Sequence, residues 1–215
     1  MQLKRPKYFP IQGKVRAFYP GDWVQVGKQV ALRWIAEGSA WIPSSNASDM
    51  FLADAGVFIL GDEKAGKIAL EAYDGEVDVV SGGTPGVPWQ RTLIWNPTCP
   101  LRTELLPIGF YLLETWQLAV PLCDYGILAR DVGTEDDRER TASVVRDLRV
   151  PLYDTRLIFA RKCDDVEGLL TEWTGKMDRI DSDARLAFLR ALYKAKPFIL
   201  ALPISWTGNM GPTGG

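Results

Sequence analysis

The stretch Ala55-Gly56-Val57-Phe58-Ile59-Leu60-Gly61-Asp62-Glu63 decides the fold class. Its first six residues are an unbroken apolar run, the pattern of a strand buried on both faces. Gly61 then turns the chain, and Asp62-Glu63 opens a helix carrying Ala65, Ile68, Ala69 and Ala72. Val77-Asp78-Val79-Val80 reads as a second strand, ending at Gly82-Gly83. Strand, helix, strand in that order pairs the strands in parallel through a right-handed crossover. The expected fold is therefore α/β, a mostly parallel open sheet with flanking helices. In such sheets ligands gather beyond the carboxyl ends of the strands. Gly61, Asp62, Ser81 and Gly82 fall on that edge, either facing a ligand or serving as ordinary strand-end turns. Neither Gly-x-Gly-x-x-Gly nor a Walker Gly-Lys-Ser/Thr occurs, so the usual phosphate cradles are missing.

Downstream, Arg91-Thr92-Leu93-Ile94-Trp95 predicts a third strand ended by Asn96-Pro97. The apolar run Leu105 to Cys123 predicts a buried helix over Leu105–Ala119, and Ile127-Leu128-Ala129 a short strand. Thr134-x-x-Asp137 has the spacing of a capping box for a helix reaching Leu148. The acids Glu135, Asp136 and Asp137 suit the positive end of that helix. Tyr153 to Arg161 predicts a strand, Asp164 to Met177 a helix, the residues after Asp181-Ser182-Asp183 a second helix to Ala195, and Phe198 to Pro203 a closing strand. Val166, Leu169, Leu170, Trp173 and Met177 fall on one helical face, as do Leu186, Leu189, Leu192 and Tyr193.

Upstream, Val15, Ala17 and Tyr19 alternate with polar residues, Pro20-Gly21-Asp22 makes a turn, and Trp23, Val24 and Val26 follow as a second strand. Val30, Ala31, Trp34 and Ile35 recur at helical spacing before Gly38. Residues 1–45 thus predict a small β-hairpin-plus-helix module. The polar stretch Pro43 to Asp49 is the expected linker, 52–206 the α/β domain, and 207–215, rich in Gly and Pro, a flexible tail.

Composition narrows the chemistry. The chain has 215 residues, 47% of them hydrophobic, and a net charge of −2 with Lys and Arg spread along its length, which argues against broad nucleic-acid binding. Three widely spaced cysteines, Cys99, Cys123 and Cys163, indicate neither a disulfide framework nor a zinc site, and predict free thiols in a reducing compartment. There is no histidine, so Ser-His-Asp and Cys-His catalysis are excluded, and acid–base work falls to carboxylates, Lys, Tyr or Cys. A bound metal would take oxygen ligands, as Mg²⁺ or Mn²⁺ does. No apolar segment runs unbroken for about 18 residues, so a membrane span is not expected. The eight tryptophans are expected mostly in the core.

Asp181-Ser182-Asp183 admits two readings. Its carboxylates can hold Mg²⁺ or Mn²⁺, which would neutralise a diphosphate leaving group, or Asp183 can cap the helix that follows. The succession from Tyr153-Asp154-Thr155-Arg156, through Trp173 and Asp181-Ser182-Asp183, to Leu202-Pro203-Ile204-Ser205-Trp206 resembles the C-terminal half of nucleotide-sugar-dependent glycosyltransferases of the A-type fold. The β-α-β start suits that family's nucleotide-binding half. The chain departs from the family in having no Asp-x-Asp between residues 90 and 150. Separately, Tyr19-x-Gly21-Asp22 with Ala31, Ile35, Gly38 and Ala40 resembles a short module of tailed-phage proteins.

The first resemblance implies transfer of a sugar from a nucleotide-diphosphate donor to a hydroxyl acceptor, or an inactive relative. It implies Asp62 and Asn96 for donor contact, Arg130 and Arg156 for the diphosphate, Asp131 and Asp154 near the reacting sugar, and Asp181 and Asp183 for Mg²⁺ or Mn²⁺, with a metal-free site equally open. The second leaves an alternative, a phage virion structural or binding protein whose N-terminal module meets a protein partner. The two place the chain in the cytoplasm or on a virion.

Overall fold

The computed structural model describes residues 2–3, 7–11, 14–18, 40–41, 54–71, 78–123, 127–177 and 183–207. In the N-terminal part, β1 (Gln2–Leu3) pairs antiparallel with β4 (Ala40–Trp41), and β2 (Lys7–Ile11) with β3 (Lys14–Phe18). The described partner of the Val15–Ala17 strand is therefore the segment before it. The expected strand at Trp23–Val26, the helix to Gly38 and the polar linker lie outside the described residues.

The α/β part is built on β5 (Ala55–Leu60), α1 (Glu63–Leu70), β6 (Asp78–Gly82), β7 (Arg91–Trp95), α2 (Leu106–Leu112), β8 (Leu118–Pro121), α3 (Glu135–Val145), β9 (Leu157–Arg161), α4 (Asp164–Met177), α5 (Ala184–Ala195) and β10 (Ile199–Leu202). The six strands form one sheet in the order β10-β8-β9-β7-β5-β6. Every neighbour pair is parallel except the two that involve β9, which runs against β7 and β8. The expected β-α-β start is present, with β5 and β6 in register from Gly56↔Asp78 to Leu60↔Gly82. After β6 the chain returns to the other side of β5 to lay down β7, so the direction of winding reverses there.

Alternation along the strands feeds two apolar layers. Val57, Ile59, Leu93, Trp95, Ala119 and Phe159 face α2, with Leu70 of α1 and Trp206 in the same layer. Phe58, Ile94, Leu118, Val120, Ile158 and Ala160 face α4 and α5. Three described tryptophans, Trp95, Trp173 and Trp206, are buried. Trp95 donates its indole N–H to the Cys99 carbonyl at 2.8 Å and Trp173 to that of Ala184 at 3.0 Å, so each buried donor is satisfied.

The run Leu105 to Cys123 is not one helix. α2 ends at Leu112, and after a turn Leu118–Pro121 becomes a strand in the middle of the sheet. A strand covered on both faces is apolar at every position, and periodicity cannot tell it from buried helix. Gln117 makes the switch. Its side-chain oxygen accepts from the Phe198 N–H at 2.7 Å and its amide donates to Asp165 at 2.9 Å, tying the start of β8 to β10 and α4. The expected strand Ile127–Ala129 is also replaced. Leu128 makes a single bridge to Pro151, and a 3₁₀ turn follows at Ala129–Asp131, because the Asp131 carboxylate accepts the Leu128 N–H at 2.9 Å. Thr207, placed in the tail by composition, is buried in the 3₁₀ turn Ile204–Thr207.

Candidate functional site

One edge of the sheet gathers the carboxyl ends of β5, β6, β7, β8 and β10 and, because β9 runs the other way, the amino end of β9. That reversal carries Asp154-Thr155-Arg156 to the edge. The turn is strung between strand ends: the Asp154 N–H donates to the Pro121 carbonyl at 2.7 Å, and the Arg156 carbonyl accepts from the Asn96 N–H at 2.8 Å. Within it Asp154 grips Arg156 with both oxygens. Oδ1 accepts from Arg156 Nε at 2.9 Å and from its backbone N–H at 3.1 Å, and Oδ2 accepts from Nη2 at 2.6 Å. The Asp154 side chain is 7% exposed and that of Arg156 42%, so a buried carboxylate holds a half-open guanidinium. The Asp154 hydrogen bonds raise the arginine's already high pKa, and its charge is permanent.

A second hook faces the same space. Asp183 caps α5, accepting the Arg185 backbone N–H at 2.9 Å on Oδ1. The same oxygen takes Arg185 Nε at 3.0 Å and Oδ2 takes Nη2 at 2.6 Å. Burial pushes the Asp183 carboxyl up, and the Arg185 guanidinium and N–H groups outweigh it, holding the carboxyl below its usual range. Behind this hook lies an ion pair cut off from water. Arg190 donates to Asp137 Oδ1 at 2.6 Å and to Thr141 Oγ1 at 2.7 Å, and the other Asp137 oxygen accepts the Asp183 N–H at 2.9 Å. The chain entering α5 is thus fixed to α3 through a charge pair 6% and 1% exposed.

Between the two hooks lies a cleft of about 370 Å³ lined by Cys123, Ile127, Asp154, Thr155, Arg156, Arg185 and Ile204. Cys123 stands among both hooks. Burial first, then the Asp154 charge, push its thiol up to about 11, against the opposing pull of Arg185 and Arg156. It is a neutral thiol at physiological pH and no thiolate nucleophile.

Of the residues the sequence put forward, the structure brings Asp154 and Arg156 together in the cleft. Asp183 stands directly behind, holding Arg185. Asp62 caps α1, accepting from the Ala65 N–H at 3.0 Å. Ser81 donates to Glu63 at 2.6 Å at the far end of the same edge. Asn96 turns its side-chain oxygen to Thr98 and touches the site through its backbone alone. Arg130 and Asp131 pair with each other on the exposed 3₁₀ turn, at 3.6 Å, and do not line the cleft. Asp181 lies outside the described residues.

Arg185 was not put forward. Its signal was the repetition of Asp-x-Arg, at Asp154-Thr155-Arg156 and Asp183-Ala184-Arg185. Asp147-Leu148-Arg149 repeats it a third time and forms the same hook, with Nε to Oδ1 at 3.1 Å and Nη2 to Oδ2 at 3.0 Å, but on the open surface. Asp136-Asp137-Arg138 has the same spacing inside α3 and forms no hook, since Asp136 pairs with Arg140 and Arg138 donates to the Gly133 carbonyl at 2.7 Å; the spacing alone does not give the hook, and only its place at the sheet edge makes a site.

No protein-family model and no curated protein sequence matches the chain. Among solved structures the chain is similar to 4-diphosphocytidyl-2C-methyl-D-erythritol synthase from Anaerococcus prevotii DSM 20548. The two share 14% identity at a TM-score of 0.39, over 84% of this chain and 82% of that one. A likeness that distant fixes no activity. Among the described residues no helix is long and apolar enough to cross a membrane.

Proposed function

We propose that this chain is a glycosyltransferase-like protein that takes a nucleotide-diphosphate sugar into the cleft between its two Asp-x-Arg hooks and passes the sugar to a hydroxyl acceptor. The observation that carries the proposal is the meeting of Asp154 and Arg156 in a cleft at the carboxyl edge of a mostly parallel sheet. Two further features support it: the edge is where open α/β sheets take ligands, and the arginine is held rigid by a carboxylate behind it.

In this reading the bond from the anomeric carbon to the diphosphate oxygen breaks, and its electron pair leaves on the nucleoside diphosphate. The acceptor oxygen forms the new bond to the anomeric carbon and passes its proton to the departing diphosphate. Arg156, a planar donor held at fixed angle, neutralises charge as it develops on the leaving group. A carboxylate offers about four lone-pair directions. Arg156 takes three of those of Asp154, which lines the cleft beside it. Asp62 and Asn96 sit farther along the same edge, where the nucleoside end of an extended donor would reach.

The test is thermal unfolding with UDP, GDP and TDP, each with Mn²⁺ and with EDTA. A ligand at about 100 times its Kd adds about 2.7 kcal/mol to the native state, so the expected result is a rise in Tm of several degrees with one nucleotide over the others. No rise with any of them overturns the proposal and returns the chain to a non-catalytic binding or virion role.

A further inference from the structure

We infer that the cleft neutralises the diphosphate with two arginines, Arg156 and Arg185, in the position where the A-type resemblance implies a divalent cation; the inference rests on the donor reading above for the identity of the ligand. The starting point is the fate of the carboxylates. A hard cation needs carboxylate oxygens free to coordinate it, in near-octahedral array for Mg²⁺. Asp183, the described half of the candidate metal pair, spends Oδ1 on the Arg185 N–H and Nε and Oδ2 on Nη2. Asp154 is spent on Arg156 in the same way. Among the described residues no group of three or more Asp, Glu, Cys or His side chains stands together to hold a metal. Among the described residues the donor set therefore does not fit the cation.

It does fit an anion. Each guanidinium spends Nε and Nη2 on its own carboxylate, which leaves the Nη1 group of each outside the hook, and the Arg185 guanidinium also hydrogen-bonds the Cys123 thiol on the cleft wall. The two come from opposite walls, Arg156 from the amino end of β9 and Arg185 from the first turn of α5, and both line the cleft. They are 42% and 35% exposed, open enough to meet a ligand. Both are held from behind by carboxylates 7% and 16% exposed, so little side-chain freedom remains to be lost on binding. Arg185 is fixed twice over, because the Asp137–Arg190 pair anchors the backbone of Asp183. Two forks that face one cleft suit a ligand with oxygens on two adjacent phosphorus atoms.

Calorimetric titration of pyrophosphate and of UDP, GDP and TDP, each in EDTA and in Mn²⁺, tests this on the full chain. The variants are Arg156→Gln, Arg185→Gln and the conservative Arg185→Lys. Arg149→Gln, on the surface hook, is the control. The inference expects pyrophosphate to bind in EDTA about as well as in Mn²⁺. It expects a loss of about tenfold or more in Arg156→Gln and in Arg185→Gln, the scale of one charge-assisted hydrogen bond. Arg185→Lys, which keeps the charge and loses the fork, should fall between, and Arg149→Gln should bind as the parent does. Circular dichroism of each variant confirms that it is folded. Binding that appears only with Mn²⁺ and ignores Arg185→Gln overturns the inference and leaves the nucleotide-sugar reading standing. Pyrophosphate binding in EDTA that depends on both arginines, with no nucleotide binding tighter than pyrophosphate, supports the inference and removes the nucleotide reading.

Discussion

Asp183 caps α5 through Oδ1 and holds the Arg185 guanidinium with both oxygens, and substitution separates the two jobs. Asparagine is as good a cap as aspartate, whereas alanine is not. Asp183→Ala should therefore lose about 1 kcal/mol of stability in urea unfolding, while Asp183→Asn loses much less, and both should weaken pyrophosphate binding because Arg185 is freed. The carboxyl is held below its usual range in the folded protein, so its contribution to stability is present above an unfolded value of about 4 and disappears as pH falls through the folded value. Asp183→Asn should flatten that acid limb of the stability curve. Cys123 works in the opposite sense. Its folded pKa of about 11 lies above the unfolded one, so stability is full below about pH 8.5 and declines as pH rises toward 11. Alkylation by iodoacetamide at pH 8 should accordingly be slower for Cys123 in the folded protein than in urea, and equal rates would contradict the burial of its thiol. At this scale the sequence showed Asp154 and Arg156 and the capping role of Asp183. Arg185 carries only the weak signal of the repeated Asp-x-Arg, because an arginine at the second position of a helix reads as a surface charge until the helix is seen to start at the cleft.

At the scale of elements, α5 is positioned by α3 through the Asp137–Arg190 pair. Removing one partner of a buried pair strands the other charge away from water. Asp137→Ala should thus cost about 3–5 kcal/mol, and the double variant Asp137→Leu with Arg190→Met should recover most of it. A loss equal in both would mean that the pair is not what joins the helices. α2 is held just as closely to the sheet. A Cβ added at Gly109 would overlap the Phe159 ring, so Gly109→Ala should destabilise by about 1–3 kcal/mol in the same assay. The helices α4 and α5 and the strands β5 and β7 were legible end to end, since each has one periodicity and a clear stop. β8 was not, because Leu118-Ala119-Val120 is apolar on both faces and only its neighbours β9 and β10 make it a strand. β9 was legible as a strand but not in direction. Nothing in Leu157 to Arg161 states that it runs against β7, and that reversal brings Asp154 to the cleft.

Across the whole molecule, the open sheet with helices on both faces is the arrangement the β-α-β start predicted, and the crevice lies on the predicted edge. It opens near β8, β9 and β10 and not beside Asp62 at the end of β5. Its walls are the turn before β9 and the first turn of α5, segments far apart in sequence that share an edge only after the sheet has formed. The most direct measurement is a crystal structure of the chain with UDP and with pyrophosphate, grown without divalent metal. Diphosphate oxygens are expected within hydrogen-bond distance of both the Arg156 and the Arg185 guanidinium, with the nucleoside extending toward Asn96. A diphosphate bound elsewhere on the sheet edge, or a cleft that stays empty while nucleotide binds at another face, would contradict this placement.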